Sequence, residues 1–340
     1  MSEHPVEFVA VDTSCAEGVN HASVRAAARA TLDFDLDIAL VGDAAALREI
    51  LRDTPYDAER LQVVHAPEVL DATLSARDAL SVAPNSATRV GLDLVASRLG
   101  AAFVTSHHPG ATVGIATRVL GRLPGVSRAA MAAVVPTARH RGDRNDPFAL
   151  MLDIGATISC TGADLATFAH MGATYSRLIS ENNRPSVALL SNHNHVENSP
   201  KAVRDAHALL LARAGDYEYL GPMTADHVPA GEADVVVTDG YSGQLFVRTL
   251  EGVALTAERL LAQARDRFAW RVGVTMLGGG IERLRELTNW EHYGGAPLLG
   301  VDRTVIVTQH SDSSRPMLNA IRLAAKVERL GVRQAMSVDT

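Results

Sequence analysis

The sequence predicts an α/β fold, specifically an α/β/α sandwich built on a mostly parallel sheet. Three observations predict it. Short runs of valine, isoleucine and leucine recur along the chain, alanine-rich amphipathic stretches separate them, and turns bearing glycine, serine or histidine follow the runs. Continuous apolar runs suit strands buried on both faces. Their alternation with helical stretches suits βαβ units. The 340 residues are enough for one large unit or two lobes. With 47% hydrophobic but only 4% aromatic residues, the core must be mainly alanine, valine and leucine.

In chain order, strands are expected over 6–11, 37–41, 61–65, 101–105, 130–136, 149–154, 186–190, 235–238 and 304–308. Helices are expected over 22–31, 44–51, 87–99, 110–120, 164–179, 201–214, 243–267 and 314–330. Right-handed crossovers would bring the strand C-terminal ends to one sheet edge, where α/β proteins bind ligands. The charged stretch 138–147, A-R-H-R-G-D-R-N-D-P, reads as a turn joining two lobes. The less regular 265–297 reads as a helical excursion, with a dimer contact or a membrane-touching hairpin as alternatives.

A net charge of −7 excludes a generally basic nucleic-acid-binding face. Two cysteines, Cys15 and Cys160, make no disulfide framework and fit a reducing cytoplasm. The N-terminus lacks a signal-peptide pattern, and no apolar run is long enough to span a membrane.

Four loops after expected strands carry unusual chemistry: D-T-S-C-A-E-G at 12–18, T-S-H-H-P-G at 105–110, S-N-H-N-H at 191–195 and T-Q-H-S-D-S-S at 308–314. V-V-V-T-D-G-Y-S-G at 235–243 is a strand running into a glycine-bearing helix start. Its amides from Tyr241 to Gln244 would suit an anion, and Asp239 would orient a ligand or hold the turn. L-D-I-G-A-T at 152–157 has the same logic: Gly155 permits close approach, and Asp153 binds a ligand or caps local amides. Cys160 reads as a small buried thiol before it reads as a nucleophile. Y-G-G-A-P-L-L-G at 293–300 reads as a fixed turn.

These strings, with L-A-T-F-A-H-M-G-A-T-Y, V-G-D at 41–43, V-V-H-A-P-E-V at 63–69 and V-V-P-T at 134–137, make the chain resemble the PlsX-type phosphate acyltransferases along nearly its whole length. The resemblance implies an isocitrate/isopropylmalate dehydrogenase-like α/β/α unit, usually dimeric. It implies transfer of an acyl group from acyl-carrier protein to inorganic phosphate, with no metal required. The family's Asp-Ala-Met-Gly-Gly-Asp becomes Asp12, Thr13, Ser14, Cys15, Ala16 and Glu17. Its Gly-Asn-Thr-Gly becomes His107, His108, Pro109 and Gly110. Its Gly-Thr-Glu-Glu-Gly-Lys-Gly becomes His193, Asn194, His195, Val196, Glu197, Asn198 and Ser199. Its Lys-Ser-His-Gly becomes Val307, Thr308, Gln309 and His310. The lysines are gone from both later loops, whereas Asp153, Asp239, Gly240 and Gly243 persist.

The candidate residues follow. His108, His193, His195 and His310 are candidate general bases, with Asp239 beside them as a catalytic candidate. Asp12, Cys15, Gly110, Asp153, Gly155, Gly240, Tyr241, Ser242 and Gly243 are the candidate substrate-binding set. Three readings stand open. One is acyl transfer from an acyl-carrier-protein or acyl-CoA thioester. Another is hydrolysis assisted by zinc or another transition metal on His107, His108, His193 and His195. The third is a carrier-binding scaffold without turnover. An acidic carrier would need a basic patch, for which Arg259, Arg265, Arg267, Arg271, Arg283 and Arg285 are candidates. Phe268, Trp270, Val272 and Val274 form a candidate stripe for peripheral membrane contact.

Overall fold

The computed structural model describes residues 8–71, 78, 83–97, 101–139, 147–212, 215–265 and 294–337. The first half builds β1 (Phe8–Asp12), a small hairpin β2 (Ser14–Cys15) and β3 (Gly18–Val19), α1 (His21–Asp33), β4 (Ile38–Gly42), α2 (Ala44–Arg52), β5 (Leu61–His65), α3 (Ala87–Ala96), β6 (Ala101–Thr105) and α4 (Pro109–Leu120). Then come β7 (Ala130–Pro136), β8 (Phe148–Leu152), α5 (Gly162–Ile179), β9 (Ser186–Leu190), α6 (Lys201–Ala212), β10 (Glu218–Met223), α7 (His227–Ala230), β11 (Val235–Val237) and α8 (Gly240–Arg265). The chain closes with β12 (Ala296–Leu299), β13 (Thr304–Val307), α9 (Arg315–Arg329) and α10 (Val332–Met336).

Local chemistry starts the helices where they start. Asn20 caps α1, Asp43 caps α2 and Ser86 caps α3 through side-chain oxygens that accept first-turn amides. Thr161 and Asp164 form a capping box at α5. Between the helices, the strands form one sheet in the order β10-β9-β11-β8-β7-β12-β13-β6-β1-β4-β5. Its strands are buried on both faces. Val9 and Val11 of β1 pack with α1 and α9, whereas Phe8 and Ala10 enter a core on the opposite face. In the other half, Leu150 and Leu152 pack with α5 while Met151 enters that same opposite-face core. One apolar layer therefore runs under both halves, and the three-layer expectation stands.

The expectation of a single convergent edge needs correction. Strands β13, β6, β1, β4 and β5 are mutually parallel, and so are β8, β11, β9 and β10. Between the blocks, β12 is antiparallel to both β13 and β7, and β7 is antiparallel to β8. Three reversals leave the two blocks running in opposite directions. The loops after β1, β6 and β13 share one edge, while those after β8, β9 and β11 lie at the other.

Besides the small β2–β3 hairpin, two strands of the large sheet appear where none was expected. Glu218–Met223 forms the outer strand β10, and Ala296–Leu299 forms β12 at the sheet centre. The glycine-rich 293–300 segment is thus more than a turn: Gly294, Gly295 and Gly300 have φ of 76°, 87° and 87°, and β12 lies between them. Residues 140–146 of the expected lobe junction and 266–293 of the expected excursion lie outside the described residues. They include Arg267, Arg271, Arg283, Arg285 and the Phe268–Val274 stripe.

Candidate active site

At the second-block edge the sequence motifs prove to be a packing joint. Asp153 is fully buried. Its Oδ1 accepts from the amides of Met131 (2.9 Å), Gly155 (3.0 Å) and Ala156 (2.9 Å), and its Oδ2 accepts from Thr157 N (2.8 Å) and Thr157 Oγ1 (2.9 Å). Burial raises its pKa, and these donors act in the opposite direction. With five donors in place, Asp153 organises its own loop and offers no free face to a ligand.

Thr157 Oγ1 in turn accepts from Gly240 N at 3.0 Å, which seats α8 on this loop. A Cβ at Gly240 would meet Asp153 Oδ2 at 2.7 Å, and one at Gly155 (φ 137°) would meet the Gln244 side-chain amide at 2.7 Å. Asp239 caps α8: its Oδ1 accepts from Ser242 N at 2.8 Å, and its backbone oxygen accepts from Gly243 N at 3.0 Å. The amides of Gly240, Ser242 and Gly243 are therefore occupied by the protein, so two of the four amides expected to meet an anion, at 242 and 243, are already taken. Tyr241 is exposed. Cys160 lies 3.2 Å from Thr157 Oγ1, and burial raises its pKa to about 11. It is a protonated thiol near neutral pH, as the reading of a structural cysteine requires.

The first-block edge holds the other set. Asp12 is also fully buried and fully used. Its Oδ1 accepts from Ser14 N (2.9 Å) and Ser14 Oγ (2.6 Å), and its Oδ2 accepts from Thr88 Oγ1 (2.6 Å) and Thr105 Oγ1 (3.0 Å). It joins β1 to α3 and β6 rather than facing substrate. Cys15 sits half-buried in the β2–β3 hairpin. Exposed His108 caps α4, its Nδ1 accepting from Gly110 N at 3.3 Å. His107 is buried, and its Nε2 has no partner among the described residues. Exposed His310 receives the amide Nδ2 of Asn20 at its Nδ1, 3.1 Å away.

His193 and His195 stand together at the opposite edge, ring centroids 5.1 Å apart, with His195 N donating to His193 Nδ1 at 3.0 Å. The four histidines of the expected metal set are thus divided between the two edges. Among the described residues no group of three histidine, cysteine or acidic side chains gathers as metal ligands.

A cleft of about 460 Å³ joins the two edges. It lies between α8 and the face of β7 and β12. Ile154 and Gln244 line one end, and Pro109, Thr308 and Gln309 line the other. Ala133, Val135, Val247, Leu250, Ala254 and Val307 make its walls largely apolar. One polar line follows α8 along it. Gln309 Nε2 donates to Glu251 Oε1 at 3.1 Å, and Arg248 Nη1 donates to Glu251 Oε2 at 2.8 Å. The Gln244 side chain pairs with Arg248 Nε at 3.1 Å and with the Ile154 carbonyl. Arg248 is the one cation among the described lining residues. The sequence motif T-D-G-Y-S-G-Q-L-F-V-R-T-L-E-G contains Gln244, Arg248 and Glu251, but their roles went unseen. Their four- and three-residue spacing puts them on one face of α8, which was the available signal.

The architecture is an α/β/α sandwich whose two parallel blocks run in opposite directions. A phosphotransacetylase from Streptococcus pyogenes shares it with a TM-score of 0.61 at 19% identity, over 95% of this chain and 94% of its own. A family model described as fatty acid synthesis protein matches residues 8–335. The phosphate acyltransferase of Pelobacter propionicus is 33% identical over 328 residues, covering 96% of this chain and 92% of its own. That of Myxococcus xanthus is 34% identical over 304 residues, covering 88% and 84%. The chain belongs to this family, the PlsX-type phosphate acyltransferases.

Proposed function

We propose that the chain transfers an acyl group from a thioester to inorganic phosphate, releasing an acyl phosphate and a free thiol. The observation that carries this reading, beside family membership, is the apolar cleft with a single cation on its polar line. The acyl chain occupies the apolar walls. A phosphate oxygen attacks the thioester carbonyl, a C–O bond forms, the C–S bond breaks, and the sulfur leaves as thiolate to take up a proton. Arg248 supplies positive charge where the attacking anion and the developing oxyanion meet. The donor is acyl-carrier protein or acyl-CoA, and exposed Arg259 on α8 belongs to the candidate carrier patch. The reading includes a cytoplasmic homodimer with peripheral membrane contact; no helix among the described residues is long and apolar enough to cross a membrane.

The test is thiol release from an acyl-carrier-protein thioester, titrated with inorganic phosphate. Saturable dependence on phosphate supports the reading, and release that ignores phosphate overturns it. Two further results are expected from the same assay. Each methylene buried contributes about 0.8 kcal/mol, so kcat/KM should climb roughly fourfold per methylene until the cleft is full. A profile flat from short to long acyl chains would contradict the assignment of the cleft. The scheme uses no metal, so dialysis against EDTA should leave the rate unchanged; loss restored by zinc would return weight to the hydrolase reading.

A further inference from the structure

We infer that Asn20 is a positioning residue that holds His310 as a neutral Nε2–H donor to the acceptor phosphate. The inference rests on the proposed acyl transfer for the identity of the anion, and on geometry for everything else.

Asn20 is buried and anchored at three points. Its backbone amide donates to Thr13 O at 2.7 Å, and its Oδ1 accepts from Ala22 N at 2.8 Å and Ser23 N at 3.1 Å. Two amides at Oδ1 fix which end of the side chain is oxygen, so the group facing His310 Nδ1 at 3.1 Å is the NH2 donor. A ring nitrogen that receives an N–H carries the lone pair. The neutral ring's proton is then on Nε2, the nitrogen turned away from Asn20. His108 reaches the same state by another route, because its Nδ1 accepts from Gly110 N.

The two histidines follow neighbouring parallel strands: β6 and β13 pair, and Thr308 N donates to Thr105 O at 2.8 Å. Both stand at the edge where Pro109, Thr308 and Gln309 close the cleft. This edge carries no lysine at 307–310 or 107–110. An Nε2–H gives phosphate a directed hydrogen bond without a full charge. It also rules out a general-base role for His310 through Nε2 while the Asn20 bond stands, since that nitrogen has no lone pair to offer.

The lock is read spectroscopically and the role kinetically. Long-range proton–nitrogen NMR of the histidine-labelled full chain should show His310 protonated at Nε2. Asn20→Asp keeps an α1 cap of equal quality but turns an acceptor toward the ring. It should place a proton on Nδ1. In the thiol-release assay, His310→Ala should raise the KM for phosphate roughly tenfold or more with kcat largely kept, the loss expected for a hydrogen bond to a charged group. His310→Gln places an amide N–H near the Nε2 position and should restore KM to within a few-fold. Asn20→Ser keeps the cap, frees the ring and should raise KM several-fold at unchanged helix content. An unchanged His310 spectrum in Asn20→Asp overturns the lock. A KM unmoved by His310→Ala and Asn20→Ser overturns the role in phosphate binding. Failure of the unmodified protein to respond to phosphate overturns the acyl-transfer reading and that role with it, while the spectrum still decides the lock.

Discussion

Replacing Gly243 by alanine should destabilise the protein by about 3 kcal/mol or more, and activity should be lost with stability. A Cβ there would fall inside van der Waals contact of the Asp153 carbonyl oxygen and lie 2.9 Å from Thr238 Cγ2. Neither neighbour can yield. Asp153 is pinned by the donors at its carboxylate, and its amide donates to Thr238 O at 3.0 Å. Thr238 N donates back to Leu152 O at 2.7 Å. The strain must then lift the first turn of α8, which is one wall of the cleft. Gly252, on the same helix, makes the opposite control. Among the described residues, nothing lies within 4 Å of a Cβ at that position. Gly252→Ala should stabilise by up to about 1 kcal/mol, through helix propensity alone. Urea denaturation of the two variants should give changes of opposite sign. A Gly243→Ala protein as stable as the parent would refute the close-packed joint.

The alternation of apolar runs and amphipathic stretches made most of the sheet and its helices legible. Strands over 61–65, 101–105, 130–136 and 186–190 match β5, β6, β7 and β9 at both ends. What could not be read was direction. Opposed blocks arise from three reversals: the two made by β12, with β13 and with β7, cancel, and the antiparallel β7–β8 pair leaves the blocks opposed. An apolar run does not encode its direction, so the loops were expected at one edge and His193 and His195 were grouped with His107 and His108. The strand-end acids were ambiguous for a related reason. Asp12 and Asp153 end apolar strands as ligand-binding aspartates do, but an acid that satisfies its own loop has the same one-dimensional signature. Burial and a full set of donors, four at Asp12 and five at Asp153, tell the two apart, and neither is written in the motif. The histidines at 108 and 310 are more informative in space than in sequence, because each shows which ring nitrogen is occupied.

Arg248→Leu should lower kcat/KM for phosphate-dependent thiol release about a hundredfold while leaving the unfolding midpoint nearly unchanged. The catalytic term is large because removing one preorganised donor from a developing oxyanion typically costs between about 10²- and 10³-fold. The stability term is small because the Arg248–Glu251 pair is exposed on the arginine side (59% of the side chain) and such pairs contribute about 0–1 kcal/mol. Arg248 also joins Gln244 to Glu251, and Glu251 holds Gln309 at the other end of the cleft. A defect could therefore arise from a broken polar line rather than from lost charge. Glu251→Gln separates the two. It keeps one acceptor oxygen, which can still serve Gln309, and frees the guanidinium from its counter-charge, so activity should be retained or rise if Arg248 acts on the anion. Arg248→Lys keeps the charge without the planar fork and should fall between Leu and the parent. Equal losses in Arg248→Leu and Glu251→Gln would assign the effect to the line as a scaffold. Full activity in Arg248→Leu would remove the cation from the reaction and leave the neutral donors at the His108 and His310 edge as the groups that meet phosphate.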